Sequence, residues 1–150
     1  MNEVLGGSLR HLVDHAEITA LAVAYCWTID GHDWDGLDAI FTPDATADFA
    51  TAGVHDGRDG IKQRIEAALG SLDASQHVVS NHQVWVDGDT AQHRCQMRAQ
   101  HVRHDADGGP NYMVAGRYED RLVRTPDGWR IAHRDLIISW TDGNIRVVRP

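Results

Sequence analysis

Crosslinks, membrane anchors and basic surfaces are all scarce in this chain. Its only two cysteines, Cys26 and Cys95, belong to no Cys-x-x-Cys pair and to no Cys/His set with zinc spacing. Two buried reduced thiols are therefore expected, with no disulfide framework and no metal. No apolar run approaches the roughly 18 residues that a membrane-spanning helix needs, and no charged-then-apolar leader is evident. The expectation is a cytoplasmic protein with no membrane partner. Positive charge is also short: 14 Lys and Arg stand against 22 Asp and Glu, a formal net charge of −8. The arginines are spread through the second half among acids, which argues against a nucleic-acid partner, since that needs a clustered basic face. There is no Gly-rich phosphate loop, no HExxH and no nucleophile elbow.

What is present is ordinary globular material with one excess. Hydrophobic residues make up 42% and charged residues 24% of 150 residues, and ten are histidines. A single domain over residues 1–150 is expected. It should bury roughly 70% of its unfolded surface, enough for a core with room for an internal pocket.

Residues 1–10 are Gly- and polar-rich and read as a flexible arm. From His11 to Asp30 the residues Leu12, Ile18, Leu21, Ala22, Tyr25 and Ile29 recur at helical spacing, and Gly31 supplies the stop. A short helix carrying Trp34, Leu37, Ile40 and Phe41 follows, then a strand over 45–52. A third helix over 60–69 is capped by Asp59. Beyond Gly70 the period changes to two, giving strands over 77–86, 90–103, 112–124 and 129–140. Asp87-Gly88-Asp89 and Thr125-Pro126-Asp127-Gly128 make tight turns between them. Helices first and antiparallel strands afterwards predict an α+β fold. In the strand from Thr90, the residues Ala91, His93, Cys95, Met97, Ala99 and His101 share one face, and Gln92, Arg94, Gln96, Arg98 and Gln100 the other. The Gln/Arg face should meet water or a second copy of the chain.

Taken singly, Asp30 is a helix-end acid opposing the macrodipole, His77 a structural histidine and His101 a strand-end group. Together they suit proton transfer: a histidine oriented by a carboxylate is the commonest general base near neutral pH. His11 and His15 share a helix face at i, i+4 but lack the glutamate of HExxH, and His101 with His104 lacks a completing ligand.

The segments Tyr25–Trp34, Leu37–Ala45, Gln76-His77, Asp87–Ala91, Gly116–Asp120 and Asp127–Ile131 resemble the SnoaL-like, nuclear transport factor 2-like superfamily over residues 14–144. The resemblance implies a cystatin-like cone, a curved antiparallel sheet with three N-terminal helices closing a pocket. Within that superfamily the pattern is most similar to scytalone dehydratase, lindane dehydrochlorinase and bile-acid 7α-dehydratase. It implies an Asp30–His77 dyad, with His101 or Tyr25 as the acid partner and no cofactor. Phe49, Met97 and Trp27 are the expected pocket residues. Two tyrosines of scytalone dehydratase are replaced by Ile29 and Phe49, and the arginine of the bile-acid enzyme falls at Ile138 or Ser139. The implied activity is a lyase, dehydratase-like, on a small hydrophobic cyclic substrate (polyketide-, steroid- or aromatic-like). An isomerase or cyclase using the same dyad is an alternative. Another is a non-catalytic ligand-binding or dioxygenase β-subunit-like assembly protein. The family habit adds a homodimer or homotrimer.

Overall fold

The computed structural model describes the backbone of residues 2–149 and the side chains of residues 9–149. The helix expected from His11 begins at Asn2, so the backbone of residues 2–10, expected as a flexible arm, is helical. Helix α1 (Asn2–Asp30) buries Ile18, Ala22, Tyr25, Cys26 and Ile29, a stripe at steps of three and four residues that faces the sheet. Trp27 is 77% exposed. It lies about 200° around the helix from Tyr25, so its expected place in the pocket is corrected to the solvent side. After the Gly31-His32 turn, a short 3₁₀ helix (Trp34–Ala39) is capped by Asp33, whose side chain accepts from the Gly36 N–H at 3.1 Å.

Strand β1 (Phe41–Asp48), a 3₁₀ turn (Ala50–Ala52) and strand β2 (Val54–Asp56) come before helix α2 (Arg58–Leu69). The first strand therefore starts at Phe41 rather than at 45. Asp59 is in the first turn of α2 and not its cap, a position held by Gly57. Four long strands complete the chain: β3 (Ala74–Asp87), β4 (Thr90–Val102), β5 (Asn111–Thr125) and β6 (Gly128–Gly143), with a 3₁₀ turn at Ile145–Val147.

The six strands form one curved, unclosed sheet in the order β2-β1-β6-β5-β4-β3. All neighbours are antiparallel except β1 and β6, which run parallel. The expected α+β class holds, with that one parallel pair as an amendment and a 3₁₀ segment in place of the middle helix. Parallel pairing is reached because β1 and β6 are far apart in the chain, so a long crossover joins them. The expected parity of β4 is observed: Ala91, His93, Cys95, Met97, Ala99 and His101 are all buried, while Gln92, Arg94, Gln96 and Arg98 are exposed.

Four register shifts interrupt the ladders, and two of them re-aim His82 and Arg134. The β3–β4 register slips between Ser80 and Gln83, with Asn81 at φ 55°. The β5–β6 register passes from Arg121–His133 to Leu122–Ile131, skipping Ala132. Such a bulge reverses which face the following residues present.

Candidate active site

Asp30 ends α1 and His77 is the fourth residue of β3, so the last turn of the helix rests on the start of the strand. The His77 Nδ1–H donates to Asp30 Oδ1 at 2.6 Å, the Ser75 hydroxyl donates to the same oxygen at 2.7 Å, and the His77 backbone N–H donates to Oδ2 at 2.8 Å. Burial would raise the Asp30 pKa, but these hydrogen bonds and the electrostatic influence of the His77 ring outweigh it and hold the carboxyl below its usual value. The same donors offset the unfavourable helix dipole. With Nδ1 committed to Asp30, the tautomer this hydrogen bond selects leaves Nε2 with its lone pair. Nε2 has no protein partner among the described residues, and the ring borders the cavity.

His101, near the end of β4, lies edge-on to His77 with ring centroids 5.3 Å apart. Its Nδ1–H donates to the Tyr112 carbonyl oxygen at 3.2 Å. Burial, with a contribution from His77, pushes its pKa down to about 4. His101 is thus neutral near pH 7 and presents an acceptor at Nε2, not a proton to give.

The cavity has a volume of about 150 Å³. Phe49 and Met97 line it as expected, and so does Tyr25. Ile29 and Ile138 are apolar wall. Burial raises the Tyr25 pKa against the opposing influence of Arg134, so the phenol stays protonated.

Sequence reading missed what stands behind that tyrosine. Arg134 of β6 is completely buried, with its guanidinium carbon 4.3 Å from the Tyr25 ring centroid and 4.1 Å from that of Tyr118. Its Nε and one terminal nitrogen donate to the two oxygens of Asp120 at 2.7 and 2.9 Å. Asp120 also accepts from His93 Nδ1 at 2.9 Å, and His93 Nε2 meets His82 Nδ1 at 3.0 Å. Parity on β5 put Asp120 on the face of Tyr118 and Leu122, a usable signal. The bulge at Ala132 hid Arg134.

His82, His93 and Cys95 bring metal-binding atoms within 4.8 Å of one another. The two imidazoles meet nitrogen to nitrogen at a hydrogen-bond distance, with centroids 5.3 Å apart and planes 19° from parallel. Two nitrogens on one tetrahedral zinc need roughly 3.3 Å between them. Burial also lifts the Cys95 thiol to about 12. The cluster reads as a hydrogen-bonded pair beside a thiol. His11 and His15 lie on the exposed side of α1.

Comparison with known proteins bears on the family and the fold. The profile of the SnoaL-like domain matches residues 10–135. An uncharacterized protein of Mycobacterium tuberculosis is 40% identical over 129 residues, covering 85% of this chain and 86% of that one. A crystal structure of a Kribbella flavida protein superposes with a TM-score of 0.85 at 28% identity, over 93% and 99% of the two chains. A Novosphingobium aromaticivorans protein provisionally identified as a scytalone dehydratase gives 0.81 at 25% identity, over 89% of each.

Proposed function

We propose, from the premise that this chain belongs to the SnoaL-like domain family, that it is a cofactor-independent lyase removing water from a small cyclic molecule. What carries the reading is the His77–Asp30 contact of 2.6 Å beside an apolar cavity onto which the free His77 nitrogen opens. The similarity to a protein provisionally named as a dehydratase supports the reaction class.

His77 Nε2 takes a proton from a carbon next to a carbonyl. Asp30 holds the ring in place and balances the imidazolium. The electron pair of the broken C–H bond forms the new double bond as the C–O bond breaks. The departing hydroxide takes the Tyr25 proton and leaves as water. His77 then returns its proton to the Tyr25 phenolate through solvent. Arg134, against the Tyr25 ring, favours that transient phenolate. His101, neutral with an open acceptor, receives a hydrogen bond from the substrate hydroxyl and aims the leaving group.

Self-association through the exposed Gln/Arg face of β4 belongs to the same proposal, and a monomeric mass by light scattering removes it. The chemistry is tested with Asp30→Asn and His77→Ala on a substrate found by screening. Loss of turnover in both, with water as co-product, supports elimination. Undiminished turnover in either rejects the dyad.

A further inference from the structure

The cavity is chemically divided from floor to rim. Its inner surface carries the dyad side and apolar wall, with His77 and His101 buried. At its open end stand Thr51, Arg64 and Arg149, all at least partly exposed. None of the described residues lining it is an aspartate or glutamate. Yet acids outnumber Lys and Arg by 22 to 14 over the whole chain. A rim with two cations and no acid therefore runs against the bulk charge of the protein.

The two arginines differ from their neighbours in being left uncompensated. On α2, Arg58 pairs with Asp38 at 3.1 Å and Lys62 with Asp35 and Asp38 at 3.2 and 3.1 Å. Arg64, on the same helix, has no carboxylate partner among the described residues, and neither has Arg149. Arg149 instead donates to the Thr51 hydroxyl at 3.2 Å, which tethers its guanidinium to the rim. The interior is small: a cavity of about 150 Å³ is the size that holds a single benzene ring. A larger substrate must extend its remaining atoms toward the open end, whose lining includes both arginines.

We propose that Arg64 and Arg149 form an anion subsite that selects, as the substrate of the site described above, a one-ring molecule bearing a carboxylate directed outward. This rests on the lyase reading for the word substrate, but not for the binding itself. Guanidinium groups fit carboxylates by paired hydrogen bonds, and a charged, low-dielectric mouth concentrates ligands of opposite sign. A net charge of −8 would otherwise repel such acids, so the rim supplies a local exception.

Calorimetric titration of the whole protein with 3-phenylpropionate and its neutral isostere 3-phenylpropanamide tests this directly. Two partly exposed ion pairs together predict about tenfold tighter binding of the acid. Raising salt from about 20 mM to about 0.5 M should shrink that ratio severalfold, a readout needing no variant. In an Arg64→Gln, Arg149→Gln double variant with an unchanged circular dichroism spectrum, the ratio should fall to about one. Lys62→Gln, at a cation of the same helix that is paired elsewhere, should leave it unchanged. Equal binding of acid and amide, binding of neither, or a ratio that survives the double variant overturns the subsite. An acid preference that persists while dyad variants keep full turnover overturns the lyase reading alone.

Discussion

Three Asp–His pairs occur among the described residues; His133–Asp135 is a neighbouring pair on β6, and the contrast between the other two, each joining different elements, separates a chemical arrangement from a structural one. In Asp30–His77 the imidazole has one nitrogen tied down and the other open to the cavity. In Asp120–His93 both nitrogens are occupied, one by the carboxylate and one by His82, and both side chains are 1% exposed. The first carboxylate receives neutral donors from Ser75 and the β3 backbone. The second answers a fully buried guanidinium. Identical residue types thus do different work according to whether a lone pair is left over. A carboxylate that must neutralise Arg134 is a fixed part of the core, whereas one that merely steadies an imidazole can serve proton transfer.

That contrast can be broken at four points. The largest effect is on turnover: His77→Ala or Asp30→Asn should lower kcat by about 10²–10⁴, with little change in melting temperature. Comparable losses from His93→Gln would erase the distinction. Next, Asp120→Ala should cost about 3–5 kcal/mol in denaturant unfolding, because it strands the Arg134 charge in the core. Asp30→Ala, at a half-buried site with solvent at hand, should cost far less.

A third effect appears with pH. His101 has a folded pKa of about 4, below the unfolded value of roughly 6.5. The unfolded chain therefore binds more protons between the two, and stability is full above that window and falls as pH drops through it. The full excursion is on the order of 3 kcal/mol. His101→Gln should flatten the curve there and leave the steeper loss near pH 4 and below, where Asp30, Asp14 and Asp120, all held below their usual values, take up protons. The smallest change is His82→Ala. It removes one partly exposed hydrogen bond that water can replace, for about 1 kcal/mol or less.

Much of this was legible in the residues. Period-two alternation located β4 and sorted His93, Cys95, Met97, Ala99 and His101 to the inside, because a regular strand has only two faces. The nearness of Asp30 to His77, 47 residues apart, had no local signal and came through resemblance of the surrounding segments. Trp27 was misplaced because it is large and aromatic, although its helical phase opposes Tyr25 and Ile29. Arg134 was invisible because Trp129 and Ile131 set a parity that would send it outward, and the skipped residue at Ala132 reverses that parity. The parallel β1–β6 pair could not be foreseen either, since nothing local in Phe41–Asp48 encodes a partner near the far end of the chain.

The skipped residue also bears on how such a pocket can diverge. Ala132 acts as a phase switch in the chain. Drawing this one alanine into the ladder opposite Arg121 would continue the alternation set by Trp129 and Ile131, turn Arg134 toward solvent and turn His133 inward. A permanent cation beneath the tyrosines would give way to a titratable one without any exchange of side chains. A lineage could thus change the acidity of its pocket floor by altering strand register rather than composition, a step that position-by-position comparison of substitutions would overlook.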